Sequence, residues 1–225
     1  MIRFLLIFFI PTLLLSQNQK DAQGLKQGDW VQLHENGTVR YEGSFIDDRP
    51  TGLFLYYTEN GKLKANIEYF NNGESASARL YHSNGEVSAV GVYQDEQKVQ
   101  LWKYYDQGGF LSRDENYIEG KLNGESIVYY PNGKVYQKSN FINDRKEGKE
   151  EQYYSNGSLK LSTFYKANKI HGKYILYSSN GVKVHEGEYV NDLKVGEWKY
   201  YKENAVFDYS IYYEDGIPQK QLNNE

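Results

Sequence analysis

The sequence predicts an all-β protein, an elongated repeat array of antiparallel β-hairpins with about two strands in each of eight 24-residue repeats. Two observations carry this. From Gly28 to about Gln219 one pattern returns every 24 residues without insertion or deletion, its first position reading Gly28, Gly52, Ala76, Gln100, Gly124, Gly148, Gly172 and Gly196. Its tenth reads Gly37, Gly61, Gly85, Gly109, Gly133, Gly157 and Gly181 before Ala205, with asparagine just ahead of it in every copy but the fourth. The second observation is local: glycine recurs at two or more places per unit, with tyrosines and β-branched residues between turn pairs, which argues for strands and against helices. In such an array each unit touches mainly its neighbours, and the usual purpose is an extended surface.

Residues 1–16 read as a signal peptide. Arg3 precedes an apolar run of about 12 residues from Phe4 to Leu15, short of the roughly 20 that span a bilayer, and Ser16 supplies a small polar exit. No membrane span is expected after cleavage, so the mature chain is expected to be exported, to the periplasm or the medium. The chain has no cysteine, which excludes disulfides, a lipidated cysteine and thiolate metal sites. Residues 17–27 form a lead-in, 28–219 the eight repeats, and 220–225 a tail. Without Arg3 the net charge is 25 − 30 = −5, with both signs spread through the repeats. No basic patch is evident in that distribution, so no nucleic acid is expected as a partner, and electrostatic attraction to anionic lipid is disfavoured.

Within each repeat the first strand covers about positions 2 to 7 and the second about 11 to 19, as in Lys134 to Ile142. Pro131 narrows the turn between them. It lacks the N–H that a strand residue before a two-residue Asn-Gly turn would donate, but suits the first central place of a type I turn. The loop is therefore Pro131, Asn132 and Gly133, the glycine left-handed and forming a bulge. That register sets Tyr57 against Leu63, Tyr81 against Val87, Tyr105 against Leu111, Tyr129 against Val135 and Tyr153 against Leu159. Position 18 is aromatic in all copies, namely Phe45, Tyr69, Tyr93, Tyr117, Phe141, Tyr165, Tyr189 and Tyr213. Counting parity places it on the same face, so two aromatic ladders form the core. Acidic or amide pairs, Asp47 and Asp48, Asn143 and Asp144, Asn191 and Asp192, turn one hairpin into the next. The altered last copy, with Ala205, Ile217 and Pro218, suits a capping role.

By the same parity Trp30, Trp102, Tyr104, Trp198 and Tyr200 fall on the face opposite the ladders, partly wet, and are the candidate partner-binding residues. Rigid amphipathic rings contact proteins and sugars alike. A protein partner or an envelope polysaccharide is expected.

Gly28 to Trp30 and Gly196 to Trp198, with a tyrosine following, then Asn-Gly, an aliphatic residue and an aromatic before an acidic or amide turn, resemble the bacterial variant of the MORN repeat. The resemblance covers nearly all of the mature chain. It implies a β-hairpin array with an interaction or scaffold role, and the antitoxin label that some bacterial members carry implies, as an alternative, toxin neutralisation by direct binding.

Chemistry is not indicated. His34 and His82 fall four strands apart, about 19 Å at ordinary strand spacing, whereas zinc ligands converge within about 2 Å of one ion. No Gly-x-Ser-x-Gly segment occurs, and carboxylate pairs such as Glu150 with Glu151 alternate in direction. The expectation is a non-enzymatic protein with no catalytic residue, metal or cofactor.

Overall fold

The computed structural model describes residues 17–223, so the segment read as a signal peptide lies outside the described residues. The chain divides between Gly85 and Glu86 into two compact units. Unit 1 holds β1 (Gln19–Lys20), β2 (Lys26–Leu33), β3 (Val39–Ile46), β4 (Arg49–Tyr57), β5 (Leu63–Phe70) and β6 (Ser75–Tyr81). Unit 2 holds β7 (Val87–Gln94), β8 (Gln97–Tyr105), β9 (Leu111–Ile118), β10 (Lys121–Tyr129), β11 (Val135–Ile142), β12 (Arg145–Lys146) and β13 (Gly148–Tyr153). It continues through β14 (Leu159–Lys166), β15 (Lys169–Tyr177), β16 (Lys183–Val190), β17 (Leu193–Tyr201), β18 (Phe207–Glu214) and β19 (Ile217–Asn223). Within each unit the strands pair antiparallel with their chain neighbours, which makes the protein an all-β repeat array of hairpins.

The turns follow from the residues that form them. Gly133 donates its N–H to the Tyr130 carbonyl at 2.9 Å, Tyr130 donates to Lys134 at 2.8 Å, and Gly133 is left-handed at φ 78°. The register is the expected one: Tyr57 faces Leu63, Tyr105 faces Leu111, Tyr129 faces Val135 and Tyr153 faces Leu159. Asn132 does more than turn the chain. Its Oδ1 accepts the Lys134 N–H at 3.1 Å, and its Nδ2 donates to the Ser155 carbonyl of the next repeat at 3.2 Å. The acidic turns are likewise structural ties. Asp48 donates its N–H to the Lys26 carbonyl at 3.2 Å and accepts the Lys26 N–H on Oδ1 at 2.8 Å; Asp144 does the same for Leu122, and Asp192 for Ile170.

At these points the strands leave ordinary pairing. Ser44 faces Thr51 and Glu42 faces Leu55, so Gly43 alone stands against Gly52, Leu53 and Phe54. The position-1 residue makes this widening by turning left-handed, as Gly52 does at φ 66°. Ala76 does not have a left-handed backbone, and β5 and β6 pair without a shift; the extra length goes into a longer turn through Asn71–Gly73. The 24-residue count survives a change of local geometry. Gln100 keeps the widening and is held at φ 60°. A side chain costs roughly 1–2 kcal/mol in that region, so Gln100→Gly is expected to raise unfolding stability by about 1 kcal/mol in a denaturant titration.

The widening makes room for rings. A Cβ on Gly43 would lie 2.4 Å from the Phe54 ring, one on Gly91 2.2 Å from Trp102, and one on Gly187 2.4 Å from Trp198. Each ring lies flat on the glycine of the preceding strand, and Phe54, Trp102 and Trp198 are the largest fully buried apolar side chains.

The outward assignment of these rings is thereby corrected. Tyr56 faces Ala65 while Tyr57 faces Leu63, so one extra residue, Lys64, sits in β5 and inverts the side-chain alternation beyond it. Position 18 therefore shares a face with positions 1, 3 and 5, and position 6 lies on the other. Trp30, Trp102, Tyr104, Trp198 and Tyr200 join the core face, where Trp30 meets Phe45 edge-on at 6.0 Å and Trp198 meets Tyr189 at 5.0 Å.

Candidate interaction surface

The core face is occupied by its own contacts. Trp102 and Trp198 are 0% exposed and donate their indole N–H groups to the carbonyls of Val92 and Glu188, at 3.1 and 3.2 Å. Tyr104 and Tyr200 are half-buried; their hydroxyls lie 3.1 and 3.5 Å from those of Tyr117 and Tyr213. Lys98 and Lys194 cap the two tryptophans at 4.7 and 4.1 Å. Trp30 is half-buried and donates to the Gln27 carbonyl at 3.2 Å. The structure brings Trp102 with Tyr104, and Trp198 with Tyr200, but as packing partners that offer a ligand little surface.

One feature of unit 2 escapes a consensus reading. Between Trp102 and Tyr174 the central row turns polar over five strands: Glu115, Ser126, Ser139, Glu150 and Thr163, all buried. Glu150, 2% exposed, accepts from Ser139 at 2.9 Å, Gln152 at 3.2 Å and Lys146 at 2.5 Å. Glu115 accepts from the Tyr117 hydroxyl at 2.7 Å and pairs with Arg113 at 3.3 Å. The signal was present in the sequence, since position 16 of copies four to six (Glu115, Ser139, Thr163) and position 3 of copies five and six (Ser126, Glu150) abandon aromatic and aliphatic residues. The inverted alternation hid that both positions face inward.

The opposite face carries tyrosines bonded to carboxylates. Tyr57 donates to Glu42 at 2.6 Å, Tyr129 to Asp114 at 3.1 Å, Tyr153 to Glu151 at 2.8 Å and Tyr201 to Glu186 at 2.6 Å. Burial, and then the hydrogen bond to Glu186, push the Tyr201 phenol up to about 12. A phenol raised in the folded state contributes stability below its ordinary value near 10 and loses it as pH rises through the folded value. Unfolding free energy is therefore expected to decline between about pH 10 and 12, and Tyr201→Phe to make that decline shallower. Equal slopes for the two proteins in alkaline denaturation would contradict the pairing.

On this face, along the edge that bears the acidic turns, apolar side chains stand in solvent. In unit 2 they include Leu101, Ile118, Ile142, Phe164, Val190 and Tyr212, 40% to 56% exposed. In unit 1 Ile46 and Phe70, with Asn71 and Asn72, line a depression of about 480 Å³. The apolar residues of this edge occupy positions 2, 17 and 19 of the repeat, which the parity count did not single out.

Among the described residues no group of three or more His, Asp or Glu converges as a metal site, and no helix is long and apolar enough to cross a membrane. His34 lies 3.1 Å from the Tyr57 carbonyl through Nε2. His185 stacks on Tyr174 at 5.7 Å, and burial, with Lys194 nearby, lowers its pKa.

A family profile described as "MORN repeat variant" matches residues 26–47, 50–73, 122–143 and 146–167, each a hairpin running up to or into the next turn. A search of curated proteins returns no match. Among solved structures, "Crystal Structure of TarM" is 13% identical over 52% of this chain and 20% of that one, with a TM-score of 0.23. "Crystal Structure of TcdB2-TccC3" is 11% identical over 85% of this chain and 13% of that one, also at 0.23. This chain thus spans a fifth or less of either. The chain thus carries MORN-variant repeats in the four matched segments, and the hairpins β8–β9 and β17–β18 share their pairing register.

Proposed function

We propose that this protein is an exported, non-enzymatic scaffold that binds a protein partner along the face opposite its aromatic core. The carrying observation is the exposed apolar row Leu101, Ile118, Ile142, Phe164, Val190 and Tyr212, on a face where hydrogen bonds of the sheet are already satisfied and only side chains remain to be covered. Export is supported by the apolar run from Phe4 to Leu15 ending at Ser16. Toxin neutralisation would be one form of such binding. Sugar binding on ring platforms has less support, because Trp102 and Trp198 have no exposed surface.

The test is capture from envelope extract by the chain starting at Gln17, set beside Ile118→Lys/Ile142→Lys and read by mass spectrometry. The expected result is a stoichiometric protein lost in the variant at unchanged melting temperature. Equal capture by both proteins would overturn the assignment to this face.

A further inference from the structure

The charge that is dispersed along the chain is gathered by the 24-residue period. Residues 121–173 hold ten Lys and Arg against five Asp and Glu, 10 − 5 = +5, within a chain of net charge −4. Four of those five carboxylates are engaged. Asp144 accepts the Leu122 N–H at 2.8 Å, Glu147 accepts the Ala167 N–H at 2.8 Å, Glu151 is held by Lys149 and Tyr153, and Glu150 is buried with Lys146. Glu125 is the fifth. The cations are differently placed. Lys121, Arg145, Lys166 and Lys169 are exposed at the edge of β10, β12, β14 and β15 and form no ion pair among the described residues. They sit directly across from the apolar stripe or one another: Lys121 faces Ile118, Arg145 faces Ile142, and Lys166 faces Lys169.

From this we infer that the partner segment seated on unit 2 is an acidic amphipathic helix laid across the strands. The inference rests on the scaffold reading and names its ligand. Equivalent residues of successive repeats are two strands apart, about 9.6 Å at ordinary spacing. Seven residues of an α-helix advance about 10.5 Å, so a carboxylate on every seventh residue meets Lys121, Arg145 and Lys169 in turn. Apolar residues beside those carboxylates cover Ile118 and Ile142. Phosphodiester chains and anionic glycans would leave these aliphatic groups wet. A planar anionic bilayer would also meet the flanking acidic residues, of which Asp192, Glu197 and Glu214 belong to the same unit. A narrow helix stays on the basic span.

The experiment uses the chain from Gln17 and a synthetic three-heptad helix bearing Glu and Leu at those positions, with its Glu→Lys counterpart as control. Anionic phospholipid vesicles and a single-stranded oligonucleotide are run alongside. The expected result is saturable binding of the acidic peptide alone, weakened about tenfold or more in Lys121→Glu/Arg145→Glu/Lys169→Glu and by added salt. The circular dichroism of that variant is expected to be unchanged. Equal binding of both peptides, or binding of vesicles or oligonucleotide without the acidic peptide, would overturn the inference. If both peptides bind and Ile118→Lys/Ile142→Lys abolishes it, the scaffold reading stands while the charge assignment falls; if that variant captures the envelope partner unchanged, the scaffold reading falls too.

Discussion

Replacing Trp198 with alanine is expected to cost unit 2 about 3–5 kcal/mol, read as a fall in the denaturant midpoint, which is the range for removing a buried tryptophan. Its ring is fully buried, lies on Gly187, and contacts Tyr174, Tyr189 and Tyr213 at centroid distances of 5.6, 5.0 and 6.2 Å. The cavity left behind cannot close easily, because the glycine beneath has no side chain to fill it. Gly187→Ala should also destabilise, through the opposite fault, since the new methyl carbon would fall 2.4 Å from the ring in an already filled site. A Trp198→Ala loss below about 1 kcal/mol would mean that the ring is a surface group after all.

The second large effect concerns the buried polar row. Lys146→Met leaves the Glu150 carboxylate, 2% exposed, without its ammonium partner, and should destabilise by about 3–5 kcal/mol. The bonds from Ser139 and Gln152 remain and draw the value toward the lower end. Adding Glu150→Leu to that variant removes the charge itself and should restore much of the loss, because an apolar pair of similar volume replaces the ion pair without a desolvation cost. If both variants were equally unstable, Glu150 would be needed for its shape or for the Ser139 contact, and the ion pair would not be the determinant.

Much of the fold was legible because the period is literal. Pro131 alone fixed the type of turn, and the pairing of Tyr57 with Leu63 or Tyr153 with Leu159 followed from it. What was not legible was the side on which later residues fall. A single extra residue such as Lys64 is invisible to a count of alternation, since nothing in its chemistry marks it as unpaired, yet it reverses every side chain downstream. That one inversion sent Trp102 and Trp198 to the wrong face and concealed the inward row from Glu115 to Thr163. Ala76 shows the converse: a residue unable to take the left-handed conformation cheaply changes the pairing of β5 with β6, while the repeat length stays the same. The conserved-looking features within the repeat, its asparagines, acidic turns and rings, are consumed by the scaffold. The proposed interaction surface falls instead at positions such as 118, 142 and 145, whose identities vary between copies and which periodicity therefore passes over.

Because the chain has no cysteine, single cysteines can report the two faces directly. The measurement is the rate of thiol labelling in the folded protein for Ser126→Cys, Ser139→Cys and Thr163→Cys against Ile142→Cys and Phe164→Cys. The first three positions are buried on the core face, while Ile142 and Phe164 are 54% and 40% exposed on the other. Protection of the first set until unfolding, with free labelling of the second, is the predicted result. Comparable rates for Ser139→Cys and Ile142→Cys, which lie on one strand, would contradict the assignment of faces on which the interaction surface depends.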